Sequence, residues 1–370
     1  MPVEFIGWID TQEQSEIVRR PGPVVDKGFL RRVARAHEDA GFDRALIGYG
    51  SSRPDGLQVA AYAAAHTERL GLLVAHRPGF VFPTVAARAF ATLDQLSDGR
   101  AALHTITGAS DAEQRRDGDR LTKDERYART DEYLEILRLA WTAQEPVTYS
   151  GTYYGFEDNV SDVRPVNPDG LPIYFGGSSE PAYRVGGRHA DVFALWGEPL
   201  AQTADQIAAI RDAATAAGRP APRISVSFRP ILGATDDLAW DRAHQILRRV
   251  QDGQPHWDAL VKKRFQGASA ANVGSQRLLQ AAEAGERHDR ALWTPIAKAT
   301  GAPGNSTALV GSPETVAQAL LDYVDIGVST LLIRGFNPLD DAVDYGRFLI
   351  PLVREEIARR DAQRPAAVSA

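Results

Sequence analysis

Eight short apolar runs, each leading into a stretch of helical periodicity, constrain the fold of this chain more than any other feature. They fall at residues 3–8 (VEFIGW), 44–48 (RALIG), 70–76 (LGLLVAH), 101–108 (AALHTITG), 171–177 (LPIYFGG), 191–196 (DVFALW), 223–232 (RISVSFRPIL) and 328–335 (VSTLLIRG). They are apolar nearly throughout rather than strictly alternating, so both faces of the sheet they build must be covered, as in parallel strands packed under helices. The spacing predicts helices over 26–40, up to about 66, over 83–96, from the DERY segment at 124–127 to about 141, and over 181–188, 201–217, 236–252, 313–326 and 340–359. Gly41 stops the first of these, and Pro83 stands in a first turn, where a helix tolerates proline. Residues 146–164 read as a small β-hairpin. Eight strands, each followed by helix, are the signature of an α/β fold of the (β/α)8 TIM-barrel type. The competitor, an open doubly wound sheet, would place a glycine-rich turn after its first strand, where this chain has GWIDTQE.

The rhythm breaks once, at 253–306, where GASAANVGS, GERHDR and TGAPGNST are rich in Gly, Ser, Asn and Pro. A mobile lid before strand eight is one reading of this excursion, and a disordered surface insertion is the other. The rest reads as one domain over 1–360, with a disordered tail at 361–370.

Composition narrows the function classes. A chain of 370 residues with 44% hydrophobic content fills a sizeable core. The absence of cysteine excludes disulfides, thiolate metal sites and a cysteine nucleophile. With no signal peptide at MPVEFIGWID and no apolar run of bilayer length, the expected location is the cytoplasm. A net charge of −6 with interspersed signs provides no basic footprint for nucleic acid and no membrane patch. Nucleophile-elbow, zinc-protease and phosphate-loop motifs are absent, and no metal is expected.

In a β/α barrel the ligand site lies at the C-terminal ends of the strands. The side chains there are Trp8, Asp10, Arg53, His76, Arg77, His104, Thr107, residues 176–179, Trp196, Glu198, Ser227, Arg229 and residues 334–336. Within LPIYFGGSS, Gly177 allows a close backbone approach, Ser178 and Ser179 offer hydroxyls, and the helix that follows aims its free N–H groups at the same point. That is an anion site, or else a tight turn with serine caps. Four arginines at one mouth each require an anion or water.

Several segments in register resemble the bacterial luciferase-like flavin monooxygenases, and within them the alkanesulfonate monooxygenase branch. They are TLDQLSDGRAALHTITG (92–108), DERYART (124–130), LPIYFGGSS, HADVFALWGEP (189–199), TALVGSPETVA (307–317) and GVSTLLIRGF. The resemblance implies a two-component enzyme in which reduced FMN, supplied by a separate NAD(P)H-dependent flavin reductase, reacts with O2 to oxygenate a small organosulfur or anionic substrate. It implies that Ser178, Ser179 and Tyr127 hold the FMN phosphate and that Thr107 contacts the flavin. Trp196 falls in the WGEP segment, and His104 stands where an asparagine usually faces the flavin ring. It implies a homodimer or homotetramer, and the alanine-rich helices after strands two and three suit such an interface. The branch's cysteine, Arg-x-His pair and tyrosine are replaced by Arg53, by Ser227 with Arg229, and by Phe336. Arg53 and Arg229 are therefore the expected anion ligands, and His76 or His104 the expected acid–base group. An F420-dependent oxidoreductase on the same barrel and a non-catalytic flavin-binding protein are the alternatives.

Overall fold

A computed structural model describes residues 3–18, 22–108, 110–253 and 272–363. All eight expected strands are present, and we number them β1 (Glu4–Ile9), β2 (Arg44–Ile47), β3 (Gly71–His76), β4 (Ala101–Thr105), β5 (Ile173–Gly176), β6 (Val192–Trp196), β7 (Arg223–Leu232) and β8 (Val328–Ile333). Each pairs in parallel with its neighbours in chain order. β6 pairs with β7, β7 with β8 and β8 with β1, which closes the sheet into a barrel.

Closure explains the apolar runs. One side chain of each alternating pair packs outward under helices, as Phe5, Ile47, Val74, Leu103 and Phe193 do with Phe90, Leu134 and Val185. The other points into the lumen, where Ile6, Leu46, Leu73, Ala102, Tyr174, Val192 and Leu332 form a separate inner cluster. Both faces are dry, so no polar alternation survives in the sequence. The N-terminal end of the barrel is sealed by Glu4, which accepts hydrogen bonds from Arg44 Nε at 2.8 Å, the Tyr174 hydroxyl at 2.9 Å and the Thr330 hydroxyl at 3.3 Å.

The helices follow the periodicity closely. Lys27–Asp39, Pro83–Leu96, Lys123–Thr142, Glu180–His189 and Asp236–Asp252 lie where they are expected. The hairpin is Val147–Ser150 against Gly155–Asn159. The final helix is interrupted: Pro338–Asp344 passes through a π-turn at Tyr345–Leu349 into Ile350–Gln363, and the Tyr345 hydroxyl donates to the Pro230 carbonyl at 2.5 Å. Helix thus extends into the expected tail as far as residue 363, and residues 364–370 lie outside the described residues.

The excursion at 253–306 differs from expectation over its described part. Residues 272–306 carry a helix at Val273–Ala284, a two-residue hairpin of Arg287–His288 with Leu292–Trp293, and a helix at Pro295–Thr300. Ala308–Gly311 then pairs with Arg229 to Leu232, the far half of the ten-residue β7. The strand thus serves two sheets, its first half closing the barrel and its second anchoring this added layer. Residues 254–271, the remainder of the expected lid, lie outside the described residues. No helix among the described residues is long and apolar enough to cross a membrane.

Candidate functional site

At the C-terminal ends of the strands the lumen opens to solvent. The inward positions Trp8, His104, Gly176, Ala194 and Trp196 are partly exposed, while their outward neighbours Leu103, Thr105, Phe175, Phe193 and Leu195 are buried. Small residues make the room. A side chain at Gly48 would collide with the Trp8 ring, and one at Gly176 would sit 3.4 Å from His104 Cε1. His104 lies at the floor of this mouth with Nδ1 shielded from solvent and without a partner among the described residues. Burial lowers its pKa to about 4, so its imidazole is neutral near pH 7. A neutral imidazole carries one N–H donor and one acceptor nitrogen, so the ring can donate or accept a hydrogen bond to a ligand over the mouth.

The anion-site sequence lies in the sector formed by β4 and β5. β5 ends at Gly176, and the helix Glu180–His189 starts after Ser179, whose backbone occupies the cap position while its hydroxyl does not cap. The Ser179 hydroxyl instead donates to the Tyr127 hydroxyl at 3.3 Å. A side chain at Gly177 would lie 2.6 Å from Ala182 Cβ, so glycine is required for the strand to meet the helix this closely. Tyr127 is carried by the helix Lys123–Thr142, whose first turn is fixed by a reciprocal capping box between Thr122 and Glu125. Burial raises its pKa, which keeps the phenol a neutral donor. Thr107, just past β4, is buried, and its hydroxyl has no partner among the described residues. An uncapped helix N-terminus beside serine and tyrosine hydroxyls is suited to a phosphate, and the serine-capped turn does not form as a side-chain cap.

Arginines dominate the opposite sector, formed by β1, β2 and β8. A cavity of about 70 Å3 is lined there by Trp8, Asp10, Glu16, Arg53 and Arg334 among others. Arg53 donates to Asp10 at 3.0 Å. Arg229, expected to meet the substrate, is 1% exposed and already engaged. It donates through both terminal nitrogens to the two Glu16 oxygens at 2.8 and 2.9 Å and to the Gly335 carbonyl at 2.9 Å, and its guanidinium lies 3.7 Å from the centre of the Phe336 ring. Burial works to raise the Glu16 pKa, but the charges of Arg229 and Arg334 and the hydrogen bonds outweigh it and hold the carboxyl at about 2. Arg229 is therefore one half of a buried ion pair, and Glu16, in a stretch that reads as loop, is the residue sequence reasoning missed. The signal available was charge balance: arginines gathered at strand ends need carboxylates from the β1 loop.

His76 is also placed differently from expectation. The lumen takes Leu73 and Ala75 from β3, so His76 points outward between helices, where its ring packs against Phe90 and its Nε2 is 2.7 Å from the Tyr133 hydroxyl. Burial lowers its pKa to about 4. It therefore faces away from the mouth, with a ring nitrogen engaged by Tyr133. Tyr133→Phe is expected to cost about 1–3 kcal/mol of unfolding free energy, measured by urea titration, with flavin affinity unchanged. A loss of flavin binding without loss of stability would return His76 to the site. Trp196 stands at the mouth against the helix Val273–Ala284, where a side chain on Gly274 would lie 2.7 Å from its ring. Beside it, buried Glu198 receives Arg277 of the same helix at 2.6 Å and so ties the added layer to the barrel. Arg77 is buried too, with Glu113 3.1 Å away and Tyr49 under its guanidinium.

Residues 4–330 match the luciferase-like monooxygenase family. Among solved structures, the chain resembles a riboflavin lyase determined with modified FMN and riboflavin, at 20% identity and a TM-score of 0.76, covering 100% of this chain and 94% of that one. It resembles the EDTA monooxygenase of Chelativorans sp. BNC1 at 19% identity and a TM-score of 0.77, covering 96% and 94%. An F420-dependent secondary alcohol dehydrogenase, in complex with an F420–acetone adduct, also matches at 17% identity and a TM-score of 0.68, covering 96% and 100%.

Proposed function

This chain belongs to the luciferase-like monooxygenase family, and from that premise we propose that it is a two-component monooxygenase that uses reduced FMN and O2 to oxygenate a small anionic or organosulfur substrate. The observation that carries this reading is the uncapped N-terminus of Glu180–His189 with Ser178, Ser179 and Tyr127 around it. FMN ends in a phosphate dianion and carries a flat apolar ring. The helix N-terminus and hydroxyls suit the first, and a mouth floored by Ala75, His104, Gly176 and Ala194 suits the second.

FMN supplies the oxygen-activating chemistry when bound. The protein's own part is to bind, orient and exclude water. Ser178, Ser179 and Tyr127 hold the phosphate end. Thr107 would supply a buried hydroxyl, and neutral His104 would offer an uncharged ring to the cofactor without adding positive charge at the mouth. Trp196 and the layer latched by Glu198 to Arg277 wall one side of the mouth, which keeps bulk water from a reactive site. An alkanesulfonate-type reaction fits a mouth at which the Arg53 and Arg334 side chains stay partly exposed. For a homodimer, the start of the helix Pro83–Leu96 offers exposed Phe82 and Val85.

A second reading, an F420-dependent hydride transfer, is favoured by the likeness to the alcohol dehydrogenase fold. Turnover separates the two. With a flavin reductase, NAD(P)H and FMN present, substrate loss is expected to track O2 consumption and to stop when the reductase is omitted. Substrate turnover with reduced F420 under nitrogen would contradict the monooxygenase reading.

A further inference from the structure

The cavity between β1, β2 and β8 lies on the far side of the mouth from the phosphate sector, since β1 and β5 are four strands apart in the closed order of the barrel. Its lining carries Asp10, Glu16, Arg53 and Arg334, and Arg229 stands behind Glu16 outside that lining. Counted with Arg229, three guanidiniums meet two carboxylates among the described residues, in two ion-paired groups that share the Trp8 ring. The three arginines are not equivalent. Arg229 directs both terminal nitrogens into Glu16 and Gly335 and is 1% exposed. Arg53 and Arg334 each spend a single side-chain donor among the described residues, on Asp10 at 3.0 Å and on Glu16 at 3.2 Å. A guanidinium has five N–H donors, so both retain most of theirs. Their side chains keep 22% and 25% of their surface. Both guanidiniums stand against one indole, 5.6 Å and 5.0 Å from the centre of the Trp8 ring.

We propose that Arg53, Arg334 and Trp8 form a clamp for the oxyanion head group of the substrate, a singly charged sulfonate, sulfinate or carboxylate, and that Arg229 holds Glu16 in place without touching the substrate. The inference rests on the monooxygenase reading for calling the ligand a substrate. Two half-free guanidinium forks give bidentate recognition of oxygen atoms, and the single surplus charge suits a monoanion better than a phosphate dianion. The apolar indole between them suits the carbon next to the head group. Arg334 feels the surplus: burial and the neighbouring Arg229 charge lower its pKa to about 10, against the pull of Glu16, and it stays protonated at neutral pH.

Calorimetric titration of the full chain with methanesulfonate, acetate and neutral dimethyl sulfone tests the clamp. Saturable binding of at least one anion is expected, weakened tenfold or more by Arg334→Gln and separately by Arg53→Gln, with FMN affinity held within about twofold. The Arg53 variant leaves the Glu16 pair untouched, so it reads the clamp even if Arg334→Gln folds poorly. Wild-type affinity in both variants, equal binding of dimethyl sulfone, or no anion binding at all overturns the proposal. Displacement of methanesulfonate by FMN also overturns it, because the clamp then takes the cofactor phosphate. If the anions bind as expected and FMN does not, the clamp stands and the monooxygenase reading fails.

Discussion

Arg229→Ala is expected to cost about 3–5 kcal/mol of unfolding free energy, because it strands the Glu16 carboxylate in a buried site without its bidentate partner. The Glu16 pKa adds a pH signature. Folding lowers it from 4.5 to about 2, so its contribution is fully present above about 4.5 and is lost as pH falls toward 2. A shift of that size corresponds to roughly 3 kcal/mol. Urea titrations at pH 6 and pH 3 should show a steep loss of stability on acidification in the wild-type chain and a flatter one in the variant, where Arg334 alone remains near Glu16. A variant as stable as wild type but with a raised substrate KM would mean that Arg229 serves the ligand and not the fold.

Ser178→Ala with Ser179→Ala is expected to weaken FMN binding by about 1–3 kcal/mol, roughly five- to 150-fold, if both hydroxyls donate to the phosphate. The fold should tolerate the change, since neither hydroxyl caps the helix and the hydrogen bond it removes is the long one from Ser179 to Tyr127. Fluorescence titration with FMN and a parallel titration with riboflavin read the effect. The variant should lose affinity for FMN and keep whatever affinity it has for riboflavin, which lacks the phosphate. Equal loss for both would place the serines under the ring.

The barrel was legible because its strands are dry on both faces, so every one of them stands out as an unbroken apolar run against polar loops. The same dryness hid the direction of individual side chains. His76 ends a strand in which all six residues are buried, so nothing in its neighbours shows whether it faces the lumen or the helices. Arg229 was legible as a strand-end arginine, but its partner is 213 residues away in the β1 loop, and a charge pair across that separation leaves no local pattern. Arg334 was visible among the mouth residues, yet its availability depends on Arg229 taking most of Glu16. The layer at 272–306 was obscured because its hairpin strands are two residues long, its second helix has only six residues, and its first starts after Asn272 within a Gly-, Ser- and Asn-rich stretch. LPIYFGGSS was legible as far as its chemistry, a strand meeting a helix start through glycine, and the uncapped Ser179 hydroxyl needed coordinates.

A reduced flavin with its phosphate at the start of Glu180–His189 is the central claim, and anaerobic titration of the chain with reduced FMN, followed by competition with reduced F420, tests it most directly. Saturable binding of reduced FMN that F420 does not displace, and that the double serine variant weakens, is the predicted result. Tight binding of F420 with no affinity for reduced FMN would contradict it.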